Sequence, residues 1–462
     1  TVIDATGKHV TPGLIDCHSH TGISGSVNES TQAVTAEVGV GDVLDPDDIN
    51  WYRQLAGGLT AVNQLHGSAN PIGGRSQTTK LRWGVAHPSD MKVEGAIPGV
   101  KFALGENVKQ SNWENSPRTR YPQTRMGVET IIRDRFTAAR EYAQRWAKWN
   151  GLDKPGKAST PMPRRDMELE ALAEVLGAQR LVHCHSYRQD EILMLCRVAA
   201  EFGFKIGTFQ HVLEGYKVAE AIKDYAIGGS AFSDWWAYKF EVIDAIPEAG
   251  AIMHDVGVTV SFNSDSDELA RRMNIEAAKA VKYGGVPPAE ALKFLTLNPA
   301  KQLKIDDRTG SLEEDKDADF VVWSASPLST FSRCEATFIE GREYFSLARD
   351  ATLREKAASE RTRLIQKALA QGAKKKPSGG GGGDGAGRPT RGATPPTMTS
   401  RSGRGAYFAP VGGPDDIERA QEEAALHAME REMNWLILNG FDPFTTHRGA
   451  CGCSSQCLFN AK

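Results

Sequence analysis

Imidazoles and a carboxylate close several apolar runs of this chain, and a lysine lies inside another. The run Leu14-Ile15-Asp16-Cys17 ends in His18-Ser19-His20. Alternate side chains of a β-strand share a face, so both rings point the same way. Two neutral imidazoles converging at a strand end make half of a divalent-metal site. Leu181-Val182-His183-Cys184-His185 repeats the arrangement, Phe209-Gln210 ends in His211, and Val258-Thr259-Val260-Ser261-Phe262-Asn263-Ser264 ends in Asp265. Lys101 lies inside a fifth run, Val100-Lys101-Phe102-Ala103. These residue types point to hydrolysis. A divalent ion, with Zn²⁺ as the expected one, lowers the pKa of water from about 15.7 to about 7 and gives hydroxide at neutral pH. The hydroxide attacks an electrophilic centre of the substrate, and a neighbouring carboxylate takes the proton and hands it to the leaving group.

The elements that must position these groups alternate. Residues 13–20 read as a strand, and Asp45-Pro46-Asp47-Asp48 opens a helix that Gly57-Gly58 stops. Leu59 to Leu65 is a second strand, followed by a turn-rich loop from His66 to Gly74. Val100 to Leu104 is a short strand, and residues 127–149 and 166–177 are helical, with a Pro/Gly/Lys linker over 150–164. Then come a strand at 180–184, a helix at 189–202, strands at 205–210, 226–228 and 258–262, and helices at 215–224, 267–283 and 287–296. This rhythm predicts an α/β fold, a parallel (β/α)₈ TIM barrel over 13–303. The polar clusters follow the strands, where such a barrel carries its active site. Residues 1–12 and 304–346 read as one small β domain, 347–371 as a helix, 372–405 as a flexible Gly/Pro/Lys linker, and 406–462 as a last helix with a Cys-containing tail.

Val2-Ile3-Asp4-Ala5, Gly7, and Val10-Thr11-Pro12-Gly13 running on to His20 resemble the entry to the first barrel strand of the amidohydrolase superfamily. The order His-x-His, His, His, Asp resembles that superfamily from Thr1 to Phe345, and is closest to its imidazolonepropionase-like and prolidase-like members. The downstream string Leu297-Asn298-Pro299-Ala300-Lys301, then Gly310-Ser311-Leu312 and Asp317 to Trp323, is similar to the family's link between barrel and small β domain. The resemblance implies that His18 and His20 are metal ligands, with His185 or His183 as the strand-5 ligand. His185 is preferred because Asp190-Glu191-Ile192 then follows at the family's usual distance. His211 matches the strand-6 histidine, on the metal or beside it and polarising the substrate carbonyl. Asp265 matches the strand-8 aspartate, ligand and proton acceptor, with Asp267 as the nearby alternative. Lys101 occupies the strand-4 position. In binuclear members a lysine there is carboxylated by CO₂ and bridges two ions, which needs a neutral amine. Without that change the site resembles mononuclear members such as imidazolonepropionase and the cytosine and adenosine deaminases. Arg188, Tyr187 and His66 sit on strand-end loops as candidates for substrate binding, Arg188 as a two-pronged donor to a carboxylate. The family's N-terminal strands are largely missing, so an upstream part is expected to be absent from this chain. The long insert at 105–165 is expected to form a helical cover.

Composition sets the outer limits. Hydrophobic residues are 40%, charged residues 24% and the net charge −3, which gives no reason to expect nucleic acid or an anionic membrane as partner. No apolar run approaches the ~20 residues of a membrane helix. The partner expected is a small-molecule substrate; a homo-oligomer and the compartment stay open. Cys17, Cys184, Cys196 and Cys334 are scattered, whereas Cys451, Cys453 and Cys457 cluster in the tail. The reading is a metal-dependent hydrolase of a cyclic amide or a dipeptide-like substrate. Its alternatives are a mononuclear deaminase-like hydrolase and a non-catalytic barrel used for binding.

Overall fold

The computed structural model describes residues 2–111, 120–233 and 239–373. Strand β1 is His9–Pro12, β2 Leu14–Ser19, β3 Leu59–Gln64, β4 Ile72–Lys80, β5 Gly99–Ala103, β6 Leu181–His185, β7 Ile206–His211, β8 Ala226–Ala231 and β9 Val260–Phe262; β10 is Phe320–Trp323, β11 Cys334–Ile339 and β12 Arg342–Ser346. The helices are α1 Ile49–Leu55, α2 Arg125–Asn150, α3 Lys154–Ser159, α4 Met167–Leu176, α5 Gln189–Phe202, α6 Ala219–Tyr225, α7 Ala249–Val256, α8 Asp267–Ala270, α9 Met273–Gly284, α10 Pro288–Lys293, α11 Leu297–Leu303 and α12 Leu347–Ala373. Strands β2 to β9 follow one another around a nearly closed eight-stranded barrel. Every residue of β2, β3, β5, β6 and β7 is buried, as expected of strands enclosed between a barrel interior and a helical layer. At the seam, the Asp265 amide donates to the His18 carbonyl across 3.3 Å, which ties the end of β9 to β2.

The barrel departs from the all-parallel expectation at one strand. β4 runs antiparallel to both β3 and β5. It begins at Ile72, inside the stretch whose Pro71, Gly73 and Gly74 read as loop. Those glycines are needed for room: a Cβ at Gly73 would lie 2.7 Å from the His66 ring. The insert at 105–165 also differs from the expectation of a cover. Its long helix α2 packs on the barrel wall, with the Phe136 ring 5.8 Å from Phe102 of β5 and 4.7 Å from Phe204. Together with α4, helix α2 forms the crossover that lets β5 and β6 pair in parallel. The expected linker at 150–164 contains the short helix α3, capped by the Asp153 carboxylate on Gly156 N.

Several elements follow directly from local chemistry. The Asp48 side chain caps α1, as its sequence predicts. Helix α5 spans the predicted residues and ends at Gly203, whose φ of +77° makes the left-handed stop that glycine tolerates. The small β unit is the four-stranded antiparallel sheet β1-β10-β11-β12, so the N-terminal strand completes it. Helix α12 belongs to a second compact unit that begins at Leu347. The expected linker at 372–405, apart from the last turn of α12, and the expected helix and cysteine tail over 406–462 lie outside the described residues.

Candidate metal centre

The carboxylate of Asp265 gathers the site. Its Oδ1 lies 3.2 Å from the Nε2 atoms of both His18 and His20, and its Oδ2 lies 3.4 Å from His211 Nε2. The two Nε2 atoms of His18 and His20 are themselves 3.2 Å apart. These three residues present one ligand atom each within 4.8 Å of one another, the spacing of a group that could hold a metal ion. Lys101 Nζ reaches to 3.5 Å from His18 Nε2, from inside a strand with no exposed side-chain surface. His211 and His185 follow on the next strands around, with ring centroids 5.0 Å apart, and the His18 ring is 4.4 Å from that of His211. Asp267, the alternative to Asp265, is turned away: its carboxylate accepts from Thr21 Oγ1 and, across 2.9 Å, from Asn50 Nδ2.

One of these side chains, His211, reaches the centre against the alternation of its strand. Gln210 and His211 are neighbours on β7, so a regular strand would send them to opposite faces. His211 instead has φ +66°, and Asp265 has φ +45°. Both are non-glycine residues in the left-handed region, where L side chains rarely sit. Such strain concentrates where the surroundings impose a function-bearing geometry. On β6 alternation holds, and His183 and His185 both face inward at different depths. His183 pairs across β5 with Lys101, below the centre, and His185 pairs with Ala103, one layer higher and beside His211. That layering sets His185 beside His211 and His183 level with Lys101.

The surrounding bonds orient the rings. His20 Nδ1 is held 2.8 Å from the Leu65 carbonyl, His18 Nδ1 2.5 Å from Gln210 Oε1, and His211 Nδ1 3.0 Å from Asn263 Oδ1. Each partner leaves Nε2 directed at Asp265. His185 is different. It is fully buried, and neither ring nitrogen has a hydrogen-bond partner among the described residues. A buried polar group left unsatisfied costs about 1–3 kcal/mol, so this imidazole awaits a partner. The donor set therefore fits a divalent cation.

Electrostatics put the groups in ligand form. Burial and the neighbouring Lys101 ammonium push the His18 imidazole down to about 3, and the same two causes push His183 down to about 3. Burial holds His185 and His211 well below the usual imidazole range, His185 also through His211 and His211 also through His18. Burial alone would raise Asp265, yet the His18, His20 and His211 rings around it keep it well below the usual carboxylate range. Neutral imidazoles around an ionised carboxylate are the state a metal requires.

Residues that sequence reasoning passed over complete the shell. Asp16 is buried and accepts from the His18 and Ser264 amides at 3.0 and 3.2 Å and from Ser264 Oγ, so it ties β2 to the turn carrying Asp265. Burial raises it to about 7. Gln210 and Asn263 carried no signal beyond standing next to His211 and Ser264. The three pocket candidates fare differently. Tyr187 is buried against the centre, its ring centroid 4.5 Å from His185, with Lys239 Nζ 4.5 Å over its face. The nitrogens of His66 face the backbone: Nε2 accepts from Glu29 N at 2.7 Å and Nδ1 lies 3.0 Å from the Gly67 carbonyl, so His66 anchors loops rather than presenting a nitrogen to a ligand. Arg188 is paired at the surface with Asp190 at 3.0 and 3.3 Å. Among other residues that follow the strands, Glu106 is half-buried, Asn107 is buried with its Nδ2 2.7 Å from Ser68 Oγ, and Trp235-Trp236 lie outside the described residues.

Comparison with known proteins agrees with this geometry. A family model described as the amidohydrolase family matches residues 9–348. Amidohydrolase tasK of Hapsidospora irregularis is 32% identical over 372 residues, covering 74% of this chain and 37% of that protein. This chain thus spans little more than a third of that relative's length. Imidazolonepropionase of Thermoplasma acidophilum is 24% identical over 70% of this chain and 77% of its own. A solved structure of an amidohydrolase from Thermotoga maritima MSB8 is 34% identical with a TM-score of 0.68, and the match covers 75% of this chain and 89% of that one. With a matched family, a barrel of the same shape and a converging set of side chains that could hold a metal ion, this chain belongs to the amidohydrolase family.

Proposed function

We propose that the protein is a metal-dependent hydrolase of C–N bonds acting on a small cyclic amide or a dipeptide-like molecule. The observation that carries this reading is the convergence of His18, His20 and His211 on the Asp265 carboxylate, with Lys101 3.5 Å from His18. His18, His20 and Asp265 would hold one divalent cation, expected to be Zn²⁺; His185 and His211 would hold a second, with Lys101, as its carbamate, shared between them. A cation bound there supplies Lewis-acid chemistry, acidifying water and polarising a carbonyl. The protein's own part is positional and proton-handling. Asp265 is ionised and central, so it can accept a proton from the attacking water and return it to the leaving nitrogen. His211 lies beside it and can steady the substrate carbonyl. Tyr187, fully buried beneath Lys239, packs beside His185 and can shape the substrate site by holding that ring. Imidazolonepropionase among the relatives keeps a cyclic amide among the candidate substrates.

The two alternatives are less well supported. A deaminase-like enzyme wants a free carboxylate soon after the strand-5 histidine. Asp190 is paired with Arg188, and Glu191 accepts from Gly105 N at 2.9 Å and pairs with Arg125 at 3.2 Å. A non-catalytic barrel has no chemical use for a buried His185 without a hydrogen-bond partner among the described residues. Among the described residues no helix is long and apolar enough to cross a membrane. The test is hydrolysis of a panel of dipeptides and cyclic amides by protein loaded with Zn²⁺ and by the same protein treated with chelator. Metal-dependent release of amine or ring-opened acid supports the reading. Metal-replete protein that is inert on both classes, and that releases ammonia from amino-heterocycles, would overturn it in favour of deamination.

A further inference from the structure

Gln210 lies between the metal centre and the backbone of β2. Its Nε2 donates to the Cys17 carbonyl across 2.9 Å, and its Oε1 lies 2.5 Å from His18 Nδ1. Gln210 is fully buried. A backbone carbonyl can only accept, so the Cys17 bond fixes which end of the carboxamide is NH₂ and which is oxygen. The oxygen must then face His18, and an oxygen facing Nδ1 requires that nitrogen to carry the proton. The Nε2 lone pair is left for the centre, 3.2 Å from both His20 Nε2 and Asp265 Oδ1.

The neighbouring amide does not impose the same order. Asn263 Oδ1 lies 3.0 Å from His211 Nδ1, but its Nδ2 partner is the Ser230 hydroxyl at 2.9 Å. A hydroxyl can donate or accept, so the Asn263–Ser230 pair can reverse and follow His211 instead of dictating to it. His18 is therefore the ring whose tautomer is decided by a side-chain amide that cannot turn over.

We propose that Gln210 is a positioning residue of the metal centre, holding His18 as the Nδ1–H tautomer through an amide whose orientation the Cys17 carbonyl fixes. The proposal rests on the metal-centre reading above, and its test separates the two. Two variants are compared with wild type as full-length chains: Gln210→Met, which keeps volume and removes the acceptor, and Gln210→Glu, which in this fully buried position takes the protonated form, donates its O–H to the Cys17 carbonyl and keeps an oxygen facing His18. Zn²⁺ affinity is measured by competition with a chromophoric chelator, and folding of the metal-free proteins by thermal unfolding. Gln210→Met is expected to bind Zn²⁺ about 10–100-fold more weakly, the usual effect of removing a ligand's orienting partner. Gln210→Glu is expected to stay much closer to wild type. Restoration by the conservative variant is what a mere packing role would not produce. The proposal is overturned if folded Gln210→Met binds as tightly as wild type. It is equally overturned if Gln210→Glu, folded, loses as much affinity as Gln210→Met, a comparison that stands even against a Met variant that is itself unfolded and binds nothing. Wild type that binds no Zn²⁺ overturns the metal-centre reading itself, and this proposal with it.

Discussion

Replacing Lys80 by methionine should destabilise the chain strongly while leaving the metal centre intact. Lys80 ends β4 with no exposed side-chain surface, and its ammonium lies 3.0 Å from Asp319, 2.6 Å from Asp317 and 3.1 Å from Glu340. It thereby fastens the barrel to the small sheet. Asp317 and Glu340 are partly solvated and have other cations at hand, Arg308 at 2.9 Å and Arg82 at 2.5 Å, so they contribute little to the loss. Asp319 is fully buried. It would keep its bonds from Thr309 Oγ1 and Glu340 N but lose its counter-ion. Leaving one partner of a buried pair uncompensated costs about 3–5 kcal/mol; the two retained bonds place this case near the lower half, roughly 3–4 kcal/mol. For a unit of this size the unfolding entropy is about 0.7 kcal/mol/K, so the midpoint should fall by roughly 5 °C. The assay is thermal unfolding with chelator present throughout, so that ligand linkage is constant. Adding Asp319→Asn to the variant should recover a large part of the loss, because no buried charge then remains unpaired. A loss below about 1 kcal/mol, or a double variant no more stable than Lys80→Met, would refute the reasoning.

Other outcomes follow from the centre. Replacing His185 by leucine should leave the metal-free midpoint unchanged or raise it, since an imidazole with no hydrogen-bond partner among the described residues is removed, while Zn²⁺ binding weakens; a large drop in metal-free stability would mean that His185 is structural. Asp265→Asn should lower kcat/KM by about 10²–10⁴ on whichever substrate is turned over, read from initial rates on metal-replete protein. Gly99→Ala would place a Cβ 2.2 Å from Ser76 Oγ and 2.7 Å from His183, inside the barrel two residues before Lys101; chemical denaturation should report a loss of about 1–3 kcal/mol. Metal-free stability should also fall on mild acidification. His18 and His183 titrate at about 3 and His66 at about 4 in the fold, and His185 and His211 well below the usual range. Below about pH 6.5 the unfolded chain binds protons that the fold refuses, so stability drops as pH falls. Carboxylates that burial raises work in the opposite direction, Asp16 to about 7 and Glu191, Asp267, Glu106 and Glu168 by less. A net loss of at least about 1 kcal/mol between pH 6.5 and 5.5 is expected by urea unfolding, and a flat profile there would contradict the buried, neutral state of these rings.

What could be read from residue order was the part governed by local periodicity. His18 and His20 share a face because strands alternate, and the strand-helix rhythm around β6 to β9 placed His185 and His211 at the ends of β6 and β7 and Asp265 just after β9. Three things escaped. β4 was hidden because Pro71, Gly73 and Gly74 signal a loop, although the glycines serve close packing beside His66. Gln210 was hidden because alternation turns it away from its neighbour, and only the left-handed backbone of His211 brings both inward. The partners of Lys80 lie more than two hundred residues downstream, and no local pattern reveals that a lysine ending an unrecognised strand is buried. Roles for His66 and Arg188 were inferred from loop position alone, and nearby bond partners decide what each does.

The most direct test of the central claim is the number of metal ions per folded chain, by elemental analysis with bicarbonate in the buffer, in wild type and in Lys101→Ala. The account predicts about two ions in wild type, one held by each half of the histidine set, and a clear fall in the variant. A single ion that is unchanged by the substitution would contradict the bridging role of Lys101. Folded wild-type protein that holds no ion would contradict the metal-dependent hydrolase itself.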